Sequence, residues 1–159
     1  LILFLLPSGG QVSPIIWILL AHTDEELLIL KKMRVCTLAS GSSGNSLYIE
    51  TENTKILVDA GISMRQITLR LEKIGVQLSD IDGVIITHEH SDHTHAIKRL
   101  NVPIYVTTAT AYLWKDRVKQ LEEFESDTPF AIKDLLVTPF SVPHDALDPV
   151  GFSIESSGD

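Results

Sequence analysis

Gly83-Val84-Ile85-Ile86-Thr87-His88-Glu89-His90-Ser91-Asp92-His93-Thr94-His95 runs from an apolar strand-like segment straight into imidazole: four of the six histidines in the chain fall within residues 88–95. A short apolar run bounded by turn formers reads as a buried strand. Neutral imidazole nitrogen is the commonest side-chain ligand for zinc-like ions, and a carboxylate among imidazoles adds an oxygen donor such ions accept. The alternative, a His-rich solvated turn, explains neither the ligand types nor their spacing. In an extended segment residues two apart share a face, so His88 and His90 can grip one ion from the same side. A turn at Ser91 then carries Asp92 and His93 to a neighbouring point. Two pairs of ligands at adjacent positions suit a pair of ions about 3.5–4 Å apart, which clamps the attacking and leaving oxygens of a hydrolysis. Glu89 faces away from its neighbours and reads as structural or solvent-facing. His95 reads as a surface residue of the first helical turn, with substrate contact as its alternative.

Upstream, Arg34-Val35-Cys36-Thr37-Leu38-Ala39, Leu47-Tyr48-Ile49-Glu50 and Lys55-Ile56-Leu57-Val58 read as strands, the last ending at Asp59. The loop Ser40-Gly41-Ser42-Ser43-Gly44-Asn45-Ser46 is a tight turn, or a substrate-facing loop presenting backbone N–H groups to an anion. No Gly-Lys-Ser/Thr follows it, so it is not a Walker loop. Ser63 is a plausible N-cap, Met64, Ile67, Leu71 and Ile74 recur at helical spacing, and Gly75 marks the stop, with Met64 a core residue. Strand, helix, then apolar strand is the pattern of an α/β sheet covered by helices. Ligands of such sheets gather beyond the C-terminal ends of strands, where both Asp59 and His88 fall.

Downstream, Ser91 can cap a helix over residues 96–100, Val102-Pro103-Ile104-Tyr105-Val106 reads as a strand, and Thr108 can start a helix through Trp114. Residues 115–127 are mostly polar and read as a solvated helix end and loop. Leu135-Leu136-Val137-Thr138 and Phe140-Ser141-Val142 form strand around Pro139, which predicts an edge or a bulge. His144 follows in Pro143-His144-Asp145-Ala146.

The 159 residues are enough for one domain with a real core, and 44% hydrophobic and 21% charged residues describe an ordinary globular chain. A formal net charge of −8 builds no general affinity for nucleic acid or anionic membrane into the surface. A single cysteine, Cys36, excludes a disulfide framework and a thiolate zinc cluster, and fits a reducing cytoplasm. Residues 1–32 differ from the rest: two apolar runs are broken by Pro7-Ser8-Gly9-Gly10 and Pro14, and the first basic residue is Lys31. They meet neither the charge pattern of a secretory signal nor the length of a spanning helix, so no stable membrane association is expected. Met33 is the first methionine and stands directly before a strand. The expectation is an apolar extension over 1–32, outside a domain that occupies 33–159.

The string His88-x-His90-x-Asp92-His93 after a buried strand resembles the signature of the metallo-β-lactamase superfamily. Leu57-Val58-Asp59-Ala60-Gly61 resembles that superfamily's first motif, and His144, with Pro149-Val150-Gly151-Phe152 behind it, resembles its third ligand histidine. With Leu38-Ala39-Ser40-Gly41-Ser42-Ser43-Gly44-Asn45-Ser46, the pattern is most similar to the YycJ (WalJ)-like branch of exonuclease-like metallohydrolases. The resemblance implies an αββα sandwich of two similar halves, of which this chain looks like the N-terminal half. It implies that His88, His90 and His144 hold one ion and that Asp92 and His93, the catalytic pair, hold a second. Asp59 would support the ligands from behind, and Asp145 would be a further supporting acid or a turn residue. Ala96 departs from the glycine that usually follows the motif, a change helix packing can absorb. The residues that complete the second position in the family have no match after His144.

The function this implies is a metal-dependent hydrolase, cutting a phosphodiester of nucleic acid, or a small phosphodiester, through a metal-bound hydroxide. A thioester or lactone hydrolase is the alternative within the superfamily, and an inactive metal-binding fragment, prone to form a homodimer, is the alternative outside it. The intact enzyme would use two divalent ions, zinc or manganese, with one or fewer bound tightly by this chain. From Met33 onward there are 11 Lys and Arg against 18 Asp and Glu. Lys98, Arg99, Lys115, Arg117 and Lys119 are the one local concentration of positive charge.

Overall fold

The computed structural model describes residues 2–5, 17–19 and 33–156. A hairpin of β3 (Arg34–Ala39) and β4 (Ser46–Glu50) continues antiparallel into β5 (Lys55–Val58). The chain then crosses over through helix α1 (Met64–Lys73) to β6 (Gly83–Ile85), which lies parallel to β5. β7 (Ile104–Thr107) and β8 (Leu121–Phe124) extend the parallel part, giving a six-stranded sheet in the order β3-β4-β5-β6-β7-β8. α1 begins as its sequence predicts: the Ser63 hydroxyl accepts from Gln66 N–H, and Gly75, at φ 78°, takes the left-handed conformation that ends it.

A second sheet packs against the first, with β9 (Phe130–Ile132), β10 (Leu135–Ser141) and β11 (Val150–Ser156) antiparallel. Two short strands, β1 (Ile2–Leu5) and β2 (Trp17–Leu19), complete the order β2-β1-β11-β10-β9. The expected extension over 1–32 otherwise falls outside the described residues. Among the described residues no helix is long and apolar enough to cross a membrane.

Successive side chains of a strand alternate between faces, and the middle strands of the six-stranded sheet are apolar on both. Tyr48, Leu57, Val84 and Ile86 point into the core beneath the helices, packed with Ile67, Leu71, Ile97 and Trp114. Leu47, Ile49, Ile56, Val58 and Ile85 point the other way, onto Leu135, Val137, Phe152 and Ile154 of the second sheet. The layers are therefore helix, sheet, sheet, and β5 and β6 are buried on both faces. Thr51, at the end of the β4–β5 hairpin, donates to Asp134 Oδ1 at 2.9 Å, and the Thr54 hydroxyl donates to the same oxygen, tying the two sheets together at the turn between β9 and β10.

Three readings are corrected. The helix after the histidines starts at Ser91, with His90 at its cap: α2 (Ser91–Thr94) is followed by a single 3-10 turn, Ile97–Arg99. The helix at Thr108 is one turn long, α3 (Thr108–Ala111). The polar stretch 115–127 contains β8, whose Glu122 and Glu123 are exposed while Phe124 is buried; it is the outermost strand, and charge is what such an edge carries. β10 is an interior strand of its sheet, but its β9 side is uncovered at Pro139. β9 pairs β10 only over Leu135, Leu136 and Val137, and two residues past Pro139 the Ser141 N–H turns away from β11 to Asp127.

Candidate metal centre

Three loops meet beyond the C-terminal ends of β5 and β6. Asp59 follows β5 and adopts φ 61°, a left-handed conformation that aspartate tolerates better than most residues. Its N–H donates to Ile85 O at 2.9 Å, which fixes it beside the end of β6. The segment after β6 carries His88 and His90, and α2 carries Asp92 and His93. Backbone bonds stitch these loops together: Asn45 N–H to Asp92 O at 2.7 Å, Gly61 N–H to Asn45 O at 2.8 Å, Ala60 N–H to His93 O at 2.8 Å, and Ala96 N–H to Ala60 O at 2.9 Å. A Cβ at Gly61 would lie 1.5 Å from Asp92 O, so this approach requires glycine. Ala96, 1% exposed, is absorbed without strain in the core under the helices.

Asp59, 5% exposed, gathers donors: Thr87 N–H at 2.9 Å, the Thr87 hydroxyl at 2.9 Å to Oδ2, and His93 Nδ1 at 2.7 Å. A carboxylate only accepts, so the Thr87 hydroxyl proton goes to Asp59 and Thr87 Oγ1 is left to accept from His88 Nδ1 at 3.0 Å. Both rings are thereby set as Nδ1–H tautomers, with the Nε2 lone pairs pointing away from Asp59. His88 Nε2 is buried without a hydrogen-bond partner. His88, His90 and His144 each bring one donor atom, all within 4.8 Å of one another, a group that can hold a metal ion. A buried, unpartnered imidazole nitrogen aimed at two more imidazoles fits a divalent cation with nitrogen preference. Burial, with the adjacent His93, His144 and His90, pushes His88 down to about 3, so the ring is neutral and ready to ligate at ordinary pH.

Asp92 and His93 form a second convergence, with Asp92 Oδ2 3.5 Å from His93 Nε2. Burial alone lowers His93, but the hydrogen bond to Asp59 and the charges of Asp59 and Asp92 outweigh it, and the net shift is upward. His144 arrives on the loop between β10 and β11. Val150 N–H donates to Thr87 O at 2.9 Å, and Leu147 N–H donates to Glu89 Oε1 at 3.0 Å, pinning that loop against the histidine segment. His144 then lies 4.6 Å from His88 and 5.2 Å from His90 between ring centroids.

The structure thus brings His88, His90, Asp92, His93, His144 and Asp59 together. Asp145 is exposed in a bend, and the hydrogen bonds behind the ligands run through Asp59 and Thr87. His95 is exposed at the end of α2. Two residues were not singled out from the sequence: Thr87, which relays Asp59 to His88, and Asn45, whose amide reaches His93 Nε2 at 3.1 Å and Asp92 Oδ2 at 3.3 Å; Glu89, read as structural or solvent-facing, holds the His144 loop. Thr87 was signalled by its place between strand and first ligand, and Asn45 by ending the small-residue loop.

Among curated proteins, the chain is 40% identical over 123 residues to the exodeoxyribonuclease WalJ of Streptococcus pneumoniae, covering 70% of this chain and 46% of that protein. It is 30% identical over 132 residues to the exodeoxyribonuclease YycJ of Bacillus anthracis, covering 76% and 49%. The chain spans about half the length of these relatives. Among solved structures, the subclass B3 metallo-β-lactamase MEM-A1 from a soil metagenome library superposes with a TM-score of 0.66 at 17% identity, over 79% of this chain and 56% of that one. The metallo-β-lactamase fold protein YhfI of Bacillus subtilis gives 0.64 at 19%, over 77% and 57%. Residues 39–157 match the profile of the metallo-β-lactamase superfamily, and with this fold and the histidine centre at its strand ends, the chain belongs to that superfamily.

Proposed function

We propose that the chain carries the metal-binding half of a phosphodiesterase that acts on nucleic acid, an exonuclease-like hydrolase. The observation that carries the metal reading is the buried, unpartnered Nε2 of His88, turned by Thr87 toward His90 and His144. In this reading His88, His90 and His144 hold the first divalent ion, and Asp92 and His93 contribute to a second. Asp59 fixes the His93 ring and, through Thr87, that of His88; Asp145 is left as a turn residue. When bound, such an ion supplies Lewis acidity and makes water nucleophilic near neutral pH. Zinc and manganese both accept these donors. With Asp92 and His93 alone at the second position among the described residues, one ion is held tightly, by the three histidines of the first position.

The class of substrate is supported by two relatives that are named as exodeoxyribonucleases. Lys115, Arg117 and Lys119 do not supply a groove beside the centre. Residues 115–119 precede β8, whose first residue pairs with the first residue of β7, and Gln120 O accepts from Ile104 N–H. These three residues lie at the opposite ends of the strands from His88, so phosphate is gripped locally, by the metal centre itself. A bulk charge of −8 fits local gripping better than a long electrostatic track.

Elemental analysis of the purified chain tests the metal assignment: one ion per chain is expected, lost in His88→Ala, and a metal-free wild type would overturn it. Fluorescence anisotropy with a labelled single-stranded DNA tests the substrate class. Binding that requires added Mn²⁺ or Zn²⁺ and disappears in His88→Ala is expected. Equal binding without metal, or turnover of a thioester or lactone in place of a phosphodiester, would overturn the nuclease reading.

A further inference from the structure

We propose that the Asn45 carboxamide is a placeholder for the second cation: it takes up the His93 and Asp92 lone pairs that an ion at that position needs, and is displaced when the ion binds. The proposal rests on the metal reading above and extends it to a residue outside the histidine motif.

The orientation of the amide follows from its partners. Asn45 Oδ1 accepts from Gly41 N–H at 3.0 Å, and a backbone N–H is always a donor. The other end, Nδ2, therefore faces the centre, 3.1 Å from His93 Nε2 and 3.3 Å from Asp92 Oδ2. With Nδ1–H given to Asp59 at 2.7 Å, the neutral His93 ring carries at Nε2 the in-plane lone pair that the amide occupies. An imidazole nitrogen has one such lone pair. A hydrogen bond from Asn45 and a bond to an ion exclude one another there.

The amide is well placed for this. Asn45 is 9% exposed, and its backbone is held at both ends, by Asp92 O and by Gly61 N–H. A Cβ at the preceding Gly44 would lie 2.5 Å from Gly61 O, so the loop packs directly on the Gly61 backbone. Yielding to an ion requires the side chain alone to swing, which breaks its bond to Gly41 and releases Gly41, Ser42 and Ser43, all exposed at the loop tip. Occupancy of the second position and order of this rim are thereby coupled.

The test uses the full chain, first loaded with one equivalent of Co²⁺ and then titrated with more against a competing chelator. Asn45→Ala is expected to leave the first ion unchanged and to tighten the second by roughly 2- to 10-fold, the range a single net hydrogen bond represents. Asn45→Ser, which keeps a small polar side chain in the loop yet is too short to reach His93, is the second variant and gives the same gain. In the metal-free wild type the His93 Nε2 resonance carries the signature of a hydrogen-bonded acceptor and moves toward the free value in both variants. On adding the second ion, the Gly41 amide of the wild type exchanges faster. No gain in either variant, whether second-ion binding is unchanged, weakened or absent, overturns the proposal; loss of the first ion from the wild type would instead sink the metal reading.

Discussion

Thr87 has a single hydroxyl proton, and the Asp59 carboxylate claims it, so one buried acid sets the tautomers of two histidines at once. Asp59→Asn removes the charge that three donors share and forces an amide N–H toward at least one of them. The expected loss is about 2–3 kcal/mol of stability in metal-free protein, read from urea midpoints, with a fall of roughly 10- to 100-fold in affinity at the Asp92 and His93 position. The histidines themselves oppose one another in acid. His88, pushed down to about 3, refuses in the folded state a proton that the unfolded chain takes below about 6.5, so its contribution is lost as pH falls from there toward 3. His93 is raised, so its contribution is full below about 6.5 and is lost as pH rises through the raised value. His88→Asn removes the first effect and keeps the second. Between pH 6 and 4 in EDTA, the variant should gain on the wild type by up to about 1.4 kcal/mol per pH unit; a constant difference would count against a His88 buried as the neutral ring.

At the scale of elements, the centre is a meeting of loops, and their register depends on residues that are not ligands. Gly61→Ala drives a methyl into the Asp92 carbonyl and should destabilise by about 2–3 kcal/mol, with the second position lost before the first. Glu89→Ala frees the Leu147 N–H and with it the His144 loop. First-ion affinity should drop roughly tenfold, while Glu89→Gln, which keeps an acceptor, stays near wild type. Much of this was legible in the sequence. Strands with apolar residues on both faces, the Ser63 and Gly75 caps and the ligand spacing are local signals, and each appears where its residues place it. What was hidden is tertiary. β8 is charged because it is an edge, and nothing within Leu121-Glu122-Glu123-Phe124 says that Phe124 will meet Phe152. Glu89 read as structural or solvent-facing from alternation alone; its acceptor role needs Leu147, 58 residues away. Asn45 lies 48 residues from His93, and only the approach at Gly61 closes that distance.

At the scale of the whole molecule, the two sheets depend differently on the first 32 residues. The six-stranded sheet is built from β3 onward, and every residue of the centre lies between Asn45 and His144. The five-stranded sheet instead has β1 paired along β11, from Ile2 against Glu155 to Leu5 against Phe152. A chain begun at Met33 should therefore keep its far-UV spectrum and its first ion, in line with a domain occupying 33–159. It would also lay bare one side of β11, a seven-residue strand whose N–H and C=O groups then have no neighbour on that side. Such an edge pairs readily with a copy of itself, so the shortened chain should move toward dimer in sedimentation as its concentration rises. A charged residue on the outer face of the bared β11, as in Ser153→Lys, should restore the monomer while leaving metal content unchanged. Loss of the first ion on shortening would instead place residues 1–32 inside the folding unit of the centre.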